Sequence, residues 1–156
     1  MQTDQQANEF IKTLIMVNSD RQSAFMLASS EVQDHKLKEW LDKMIKQSLS
    51  YKEDLLKWLQ HDHHTLEFSQ DHFPISAKVH KLFLDLKFKF AKNQRLAALN
   101  SCEWSEKNAL KIYDEILSQA QVFSPNTIDT LKRHQLKIKE DLNLLSKLRK
   151  LEESEV

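Results

Sequence analysis

The sequence predicts an all-α protein, and three observations lead to that prediction. The chain of 156 residues contains no glycine, which hairpin turns and phosphate-binding loops need for their backbone conformations. It has only two prolines, Pro74 and Pro125, so few positions interrupt a helix. Four segments keep a three-and-four spacing of apolar residues, which buries one face of a helix. We therefore expect one domain, residues 1–156, built as a helical bundle.

The first two helices are expected at about residues 7–32 and 35–60. The polar run Asn18-Ser19-Asp20 competes for backbone hydrogen bonds, but the first stripe passes through it in phase, so a single helix is predicted. The short link between the two helices favours antiparallel neighbours. The two stripes consist of Ile11, Leu14, Asn18, Arg21, Phe25, Ala28 and Val32, and of Leu37, Leu41, Met44, Ser48, Tyr51, Leu55 and Trp58.

The last two helices are expected at about residues 94–120 and 125–150. Ser124 and Pro125 suit the N-cap and the first helical position of the fourth helix. The link before them is again short, which favours a second antiparallel pair. The two stripes consist of Leu96, Leu99, Glu103, Glu106, Leu110, Tyr113 and Leu117, and of Ile128, Leu131, Gln135, Ile138, Leu142, Leu145 and Arg149.

The segment 61–93 differs from the other four, because it begins with the irregular polar run HDHHTLEFSQDHFP. Residues 79–90 fit either the alternation of a strand or a short helix, and the helix is preferred because a lone strand would leave its edges unpaired. A link of this length can travel along a bundle whose helices are about 37 Å long. Two antiparallel hairpins joined by one such crossover form the ferritin-like arrangement.

Two stretches also suggest a family. VHKLFLDLK at 79–87 resembles the pattern His-Arg-x-Trp-x-x-Leu-Lys, with His80, Lys81, Phe83, Leu86 and Lys87 at those positions; Lys81 and Phe83 replace the arginine and the tryptophan. LNSCEWSEKNALKIYDEIL at 99–117 matches Cys-Glu-x-Gly-Glu followed by a tyrosine, at Cys102, Glu103, Glu106 and Tyr113, with Ser105 in place of the glycine. In these motifs the chain resembles a bacterial ferritin-like four-helix-bundle family of unknown function. The resemblance implies the ferritin-like fold, assigns no activity, and makes His80 and Cys102 family-motif positions.

Each of the four stripes carries polar residues near its middle, which predicts a polar layer inside the bundle. A buried charge needs a partner, so these groups must satisfy one another. The planar guanidinium of Arg21 suits a carboxylate, and we hypothesise that it pairs with Glu103 or Glu106. The other members of the predicted layer are Asn18, Ser48, Tyr51, Tyr113 and Gln135.

Two alternatives remain for the acidic residues. Asn100 and Glu103 have the spacing of a capping box, which would start the third helix at Asn100 and expose Glu103 to water. Glu103 and Glu106 could instead hold iron or manganese, as carboxylates do in ferritin-like di-metal proteins, and the alternative function is then an oxidase or metal-storage activity. The chain has no Glu-x-x-His motif, and His134 lies beside the fourth stripe, so a metal site is not favoured.

Other candidate ligands lie outside the stripes. His61, His63 and His64 form a cluster that suits zinc, although a solvated polar loop is the preferred interpretation. Cys102 has no base placed beside it by sequence, so it is not expected to be a nucleophile.

Composition narrows the function. Lys plus Arg and Asp plus Glu are both 23, and this balance argues against nucleic acid as the main partner. A single cysteine fits a reducing compartment, and neither a signal peptide nor an apolar span is found, so we expect a cytoplasmic protein without a membrane partner. No catalytic motif is present. We therefore predict a non-enzymatic structural or protein-interaction role without a cofactor, and a homodimer or a complex with another protein.

Overall fold

The computed structural model describes residues 2–59 and 92–154, with Lys81, Leu84 and Asp85 from the segment between them. These residues contain four long α-helices and no strand. The helices are α1 (Gln2–Glu31), α2 (His35–Lys57), α3 (Gln94–Leu117) and α4 (Pro125–Ser154), and a short 3-10 helix (Ala120–Val122) precedes α4. The predicted crossover helix at 79–90 lies mostly outside the described residues.

Three helices begin at side-chain caps that match the chemistry of their sequences. The carboxylate of Asp34 accepts a hydrogen bond from the Leu37 amide at the start of α2, and Asn93 caps α3 in the same way. The Ser124 hydroxyl accepts a hydrogen bond from an amide in the first turn of α4. Because α3 begins at Gln94, the alternative start at Asn100 was wrong. Asn100 instead lies within the helix, where its amide donates to the Leu96 carbonyl oxygen.

The directions of the helices follow from two clusters of buried apolar residues. One cluster joins Ile11 from the start of α1 with Leu55 and Ile116 from the ends of α2 and α3. The other joins Phe25 from the second half of α1 with residues from the starts of α2 and α3 and from the second half of α4, among them Leu145. It follows that α1 and α4 run in one direction and α2 and α3 in the other.

The buried faces of α1 and α2 agree with their predicted stripes. Every stripe residue of α1 is buried, and in α2 only Trp58 is partly exposed. In α3 and α4 some residues of the predicted stripe are only partly buried, and the residue one position earlier in the chain is buried instead. Ala109 and Ile116 are buried in α3 where Leu110 and Leu117 were expected. In α4 the residues buried instead of Ile128, Gln135 and Leu142 are Thr127, His134 and Asp141.

Candidate functional site

The centre of the molecule contains a buried arginine bound by side chains from three helices. The Nε and Nη2 atoms of Arg21 on α1 donate to the two carboxylate oxygens of Glu106 on α3, at 2.5 and 3.2 Å. Its Nη1 donates to Asn18 at 2.9 Å, and Nη2 also donates to the Gln47 side-chain oxygen of α2 at 2.5 Å. Arg21 and Glu106 are both fully buried. The two parallel bonds give the forked geometry that is the strong form of an arginine–carboxylate contact.

Burial and charge act against each other in this pair. Burial disfavours the charge on Arg21, but the Glu106 carboxylate outweighs that effect and raises the guanidinium pKa. Burial also raises the pKa of the Glu106 carboxyl, and Arg21 acts in the opposite direction. The rings of Phe25 and Tyr51 lie 5.6 and 5.4 Å from the guanidinium carbon, within the range of cation–π contact. Because arginine does not lose its proton in proteins, Glu106 must carry the compensating charge.

One branch of the network leads from Arg21 to α4. The Gln47 amide accepts a hydrogen bond from Arg21 through its oxygen and donates to Asp141 through its nitrogen at 3.1 Å. Burial raises the pKa of Asp141, while Gln47 and Lys137 lower it, with the Lys137 ammonium 3.5 Å from the carboxylate. Gln47 therefore connects the central ion pair to the buried Asp141 carboxylate on α4.

A second branch leads from Asn18 to the surface through two aromatic side chains. The Asn18 amide donates to the Tyr113 hydroxyl at 2.8 Å. That hydroxyl lies 2.9 Å from Nδ1 of His134 and donates to it, because the hydrogen of the neutral ring is on Nε2, which faces the Asp54 carboxylate. Nε2 of His134 then donates to Asp54 at 3.0 Å, and the Tyr51 ring stacks on the imidazole at 3.7 Å. Burial lowers the pKa of His134 to about 4, although Asp54 acts in the opposite direction. His134 is therefore a neutral imidazole with its hydrogen on Nε2.

Glu103 belongs to a separate ion pair at the side of the bundle. Its carboxylate accepts hydrogen bonds from both Nε and Nη2 of Arg149 and from the Ser146 hydroxyl, and the Lys107 ammonium lies 3.2 Å away. Burial raises the pKa of Glu103, but the hydrogen bonds from Arg149, Ser146 and Lys107 outweigh that effect and lower it overall. The two acidic residues of α3 therefore point to different helices, and Arg21 contacts Glu106 rather than Glu103.

Glu103 and Glu106 do not fit a shared metal ion. Both oxygens of each carboxylate already accept hydrogen bonds from an arginine, which brings positive charge where a cation would bind. In the described part of the chain, no three His, Cys, Asp or Glu side chains are grouped closely enough to hold a metal. The candidate ligands His61, His63 and His64, and the motif residue His80, lie outside that part.

Gln135 was wrongly placed in the buried layer. Its side chain is partly exposed, and its amide donates to Asp114 on the surface at 2.5 Å. The adjacent His134 takes the interior position, because Tyr113 and Asp54 from neighbouring helices supply partners for both ring nitrogens. Thr127, His134 and Asp141 recur every seven residues, which is the sequence signal that could have found this face.

Cys102 and Lys52 are two further side chains that are fully buried. The Cys102 thiol is fully buried, and burial raises its pKa, so it is not a reactive thiolate. Lys52, which the sequence did not suggest as an interior residue, is also fully buried and donates to the Gln22 side-chain oxygen at 2.8 Å.

In the residues that the structure describes, the fold and the network define an all-α protein with four long helices, whose interior contains a hydrogen-bonded ion-pair layer. The chain belongs to the family described as a domain of unknown function (DUF2383), whose model matches residues 6–119. The matched region includes Arg21, Gln47, Glu106 and Tyr113 and ends before α4. The ferritin-like assignment and the two motifs stay predictions, because the family description mentions neither.

Searches of curated proteins and of solved structures found no significant match to this chain. Within the helices described, none has the length and apolar character needed to cross a membrane.

Proposed function

We propose that this protein is a non-enzymatic structural or interaction module, and that the Arg21–Glu106 ion pair occupies the position in its interior where a metal ion would otherwise bind. The single observation that carries the proposal is the position of the Arg21 guanidinium. It lies at the centre of the helices and bonds Glu106, Asn18 and Gln47, so it supplies the positive charge that a metal ion would otherwise supply.

The arrangement of the polar groups supports a structural role over a catalytic one. A catalytic acid or base must come within hydrogen-bond reach of its substrate. Arg21, Glu106 and Tyr113 have no exposed surface, and each is bonded to other members of the network. A fully satisfied buried network of this kind favours one register of neighbouring helices.

The proposed architecture is a ferritin-like bundle. Its support is the parallel course of α2 and α3, which places the end of α2 and the start of α3 at opposite ends of the helices. The ferritin-like di-metal proteins place acidic and histidine ligands at the middle of their helices. In this chain we propose that the same level is occupied by an internal arginine salt bridge. A cytoplasmic location and a protein partner stay predictions.

The test is metal binding to the purified protein. We would measure bound metal and then follow thermal unfolding with Fe(II), Mn(II) and Zn(II), since a ligand of the folded state raises its stability by mass action. Unchanged melting temperatures support the proposal. A metal-dependent increase that disappears in Glu106→Gln, but persists in the matched variant Glu103→Gln, would contradict it.

A third set of variants separates the histidine cluster at 61–64 from the interior. A metal-dependent increase that is lost only after replacement of His61, His63 and His64 would assign the metal to that cluster. In that case the interior salt bridge would stand as proposed.

A further inference from the structure

One face of α4 is exposed and carries large apolar side chains. Leu136, Leu144 and Leu151 are 60%, 41% and 62% exposed. Together they form a group of large apolar side chains in contact with water. At 100° per residue, these leucines lie within one face of about 100° together with three exposed polar residues. Those residues are Glu140, Asn143 and Lys147.

The order of residues on this face is self-complementary. The pairs Leu136/Leu151, Glu140/Lys147 and Asn143/Leu144 are all centred on the same point, between residues 143 and 144. An isologous interface, in which residue i contacts residue j of the copy and j contacts i, requires this kind of symmetry. An antiparallel copy of the same face would therefore place leucine against leucine and glutamate against lysine.

We propose that a second copy of this chain docks on the α4 face, antiparallel to it, about a two-fold axis between Asn143 and Leu144. The inference rests on the proposed interaction role and names its partner. Charge selects the antiparallel orientation, because a parallel pair would place Glu140 against Glu140 and Lys147 against Lys147. The antiparallel pair instead forms two Glu140–Lys147 contacts per dimer, one on each side of the axis. Among the described residues, the Glu140 carboxylate contacts the Lys137 ammonium at 3.8 Å, and both side chains of this pair are exposed.

The size of the face sets the expected strength. Residues 136–151 extend about 22 Å along the helix, so the paired faces lie at the low end of stable protein interfaces. We therefore expect a dimer that dissociates on dilution. Its population should also fall with added salt, since exposed charge pairs are screened.

The experiment measures mass by sedimentation equilibrium at low salt, from about 10 μM to about 1 mM protein. We expect the native chain to dimerise. Glu140→Lys and Lys147→Glu should each weaken association by at least about tenfold, because each places two like-charged contacts across the axis. The double variant Glu140→Lys/Lys147→Glu should restore it, because both contacts regain opposite charges. Lys46→Glu, an exposed charge reversal on α2, is the matched control and should have no effect.

A second measurement tests the axis directly. Asn143→Cys should form an intermolecular disulfide with its copy under mild oxidation, and the native Cys102 does not interfere because it is buried. A chain that stays monomeric to about 1 mM would overturn the proposal. So would a dimer whose association is unaffected by both single charge reversals. Neither outcome depends on metal, so failure here is distinguishable from failure of the interior salt-bridge proposal.

Discussion

Acidification should lower the stability of the folded protein through His134. The imidazole is buried and neutral, and its pKa lies at about 4 in place of the ordinary 6.5. The unfolded chain therefore binds a proton between these two pH values that the folded chain does not bind. Since the folded-state pKa is the lower one, the stabilisation is complete above pH 6.5 and is lost as the pH falls towards 4.

The size of the effect follows from the same values. A difference of about 2.5 pH units at about 1.36 kcal/mol each gives at most about 3 kcal/mol from this one side chain. The structural reason lies at Nδ1. In the neutral ring Nδ1 accepts a hydrogen bond from the Tyr113 hydroxyl, whereas in the protonated ring Nδ1 carries a hydrogen and must donate. Glu106 and Asp141 have raised pKa values and act with the opposite sign, so His134 must be isolated by a variant.

The assay is urea unfolding of the native chain and of His134→Gln at several pH values between about 7 and 4. Glutamine keeps hydrogen-bonding groups but does not titrate. The free energy of unfolding of the native chain should fall relative to that of the variant by up to about 3 kcal/mol across this interval. Parallel curves for the two proteins would refute the reasoning, as would an NMR titration that places the His134 pKa near 6.5.

Three further predictions test other parts of the structure. Tyr113→Phe leaves groups on both sides of the hydroxyl without a partner and should cost about 1–3 kcal/mol in urea unfolding, whereas the surface change Gln135→Ala should cost less than about 0.5 kcal/mol. Arg149→Gln removes the partly exposed partner of the buried Glu103 carboxylate, which keeps Ser146 and Lys107, and should cost about 1–2 kcal/mol in the same assay; a cost as large as that of a central charge would contradict the distinction between the two pairs. The Cys102 thiol should react with a thiol reagent at least about 100-fold more slowly in the native protein than in urea, and equal rates would show that it is accessible.

The sequence predicts the buried faces of α1 and α2 well because their interior positions are occupied by apolar residues or by polar residues in phase with them. Arg21 could be selected as an interior candidate because apolar residues flank it at helical spacing on both sides. Glu106 could be selected in the same way, because it is in phase with the apolar residues of the α3 stripe. Choosing between Glu103 and Glu106 as its partner was not possible, because the two differ by one turn and only the neighbouring helices distinguish them.

The face of α4 was harder to predict for a physical reason. Leu131 and Leu145 belong to two overlapping stripes, one with Gln135 between them and one with His134. Apolar Ile128 and Leu142 favour the first stripe, although the second is buried. The second stripe is buried because Tyr113 and Gln47, on other helices, supply hydrogen bonds to His134 and Asp141. Such partners cannot be read from the sequence of α4 itself.

Lys52 was missed for the same reason. A lysine is ordinarily exposed, and its burial here accompanies a hydrogen bond to Gln22 from the neighbouring helix.

A double-mutant cycle on Arg21→Met and Glu106→Gln tests the internal salt bridge most directly. Each single change leaves a buried charge without its partner and should cost about 3–5 kcal/mol. The double variant should cost less than the sum by at least about 2 kcal/mol, because the two losses are the same interaction. The control cycle of Arg21→Met with Glu103→Gln should be additive, since Glu103 pairs with Arg149. Additive costs for Arg21 and Glu106 would contradict the account.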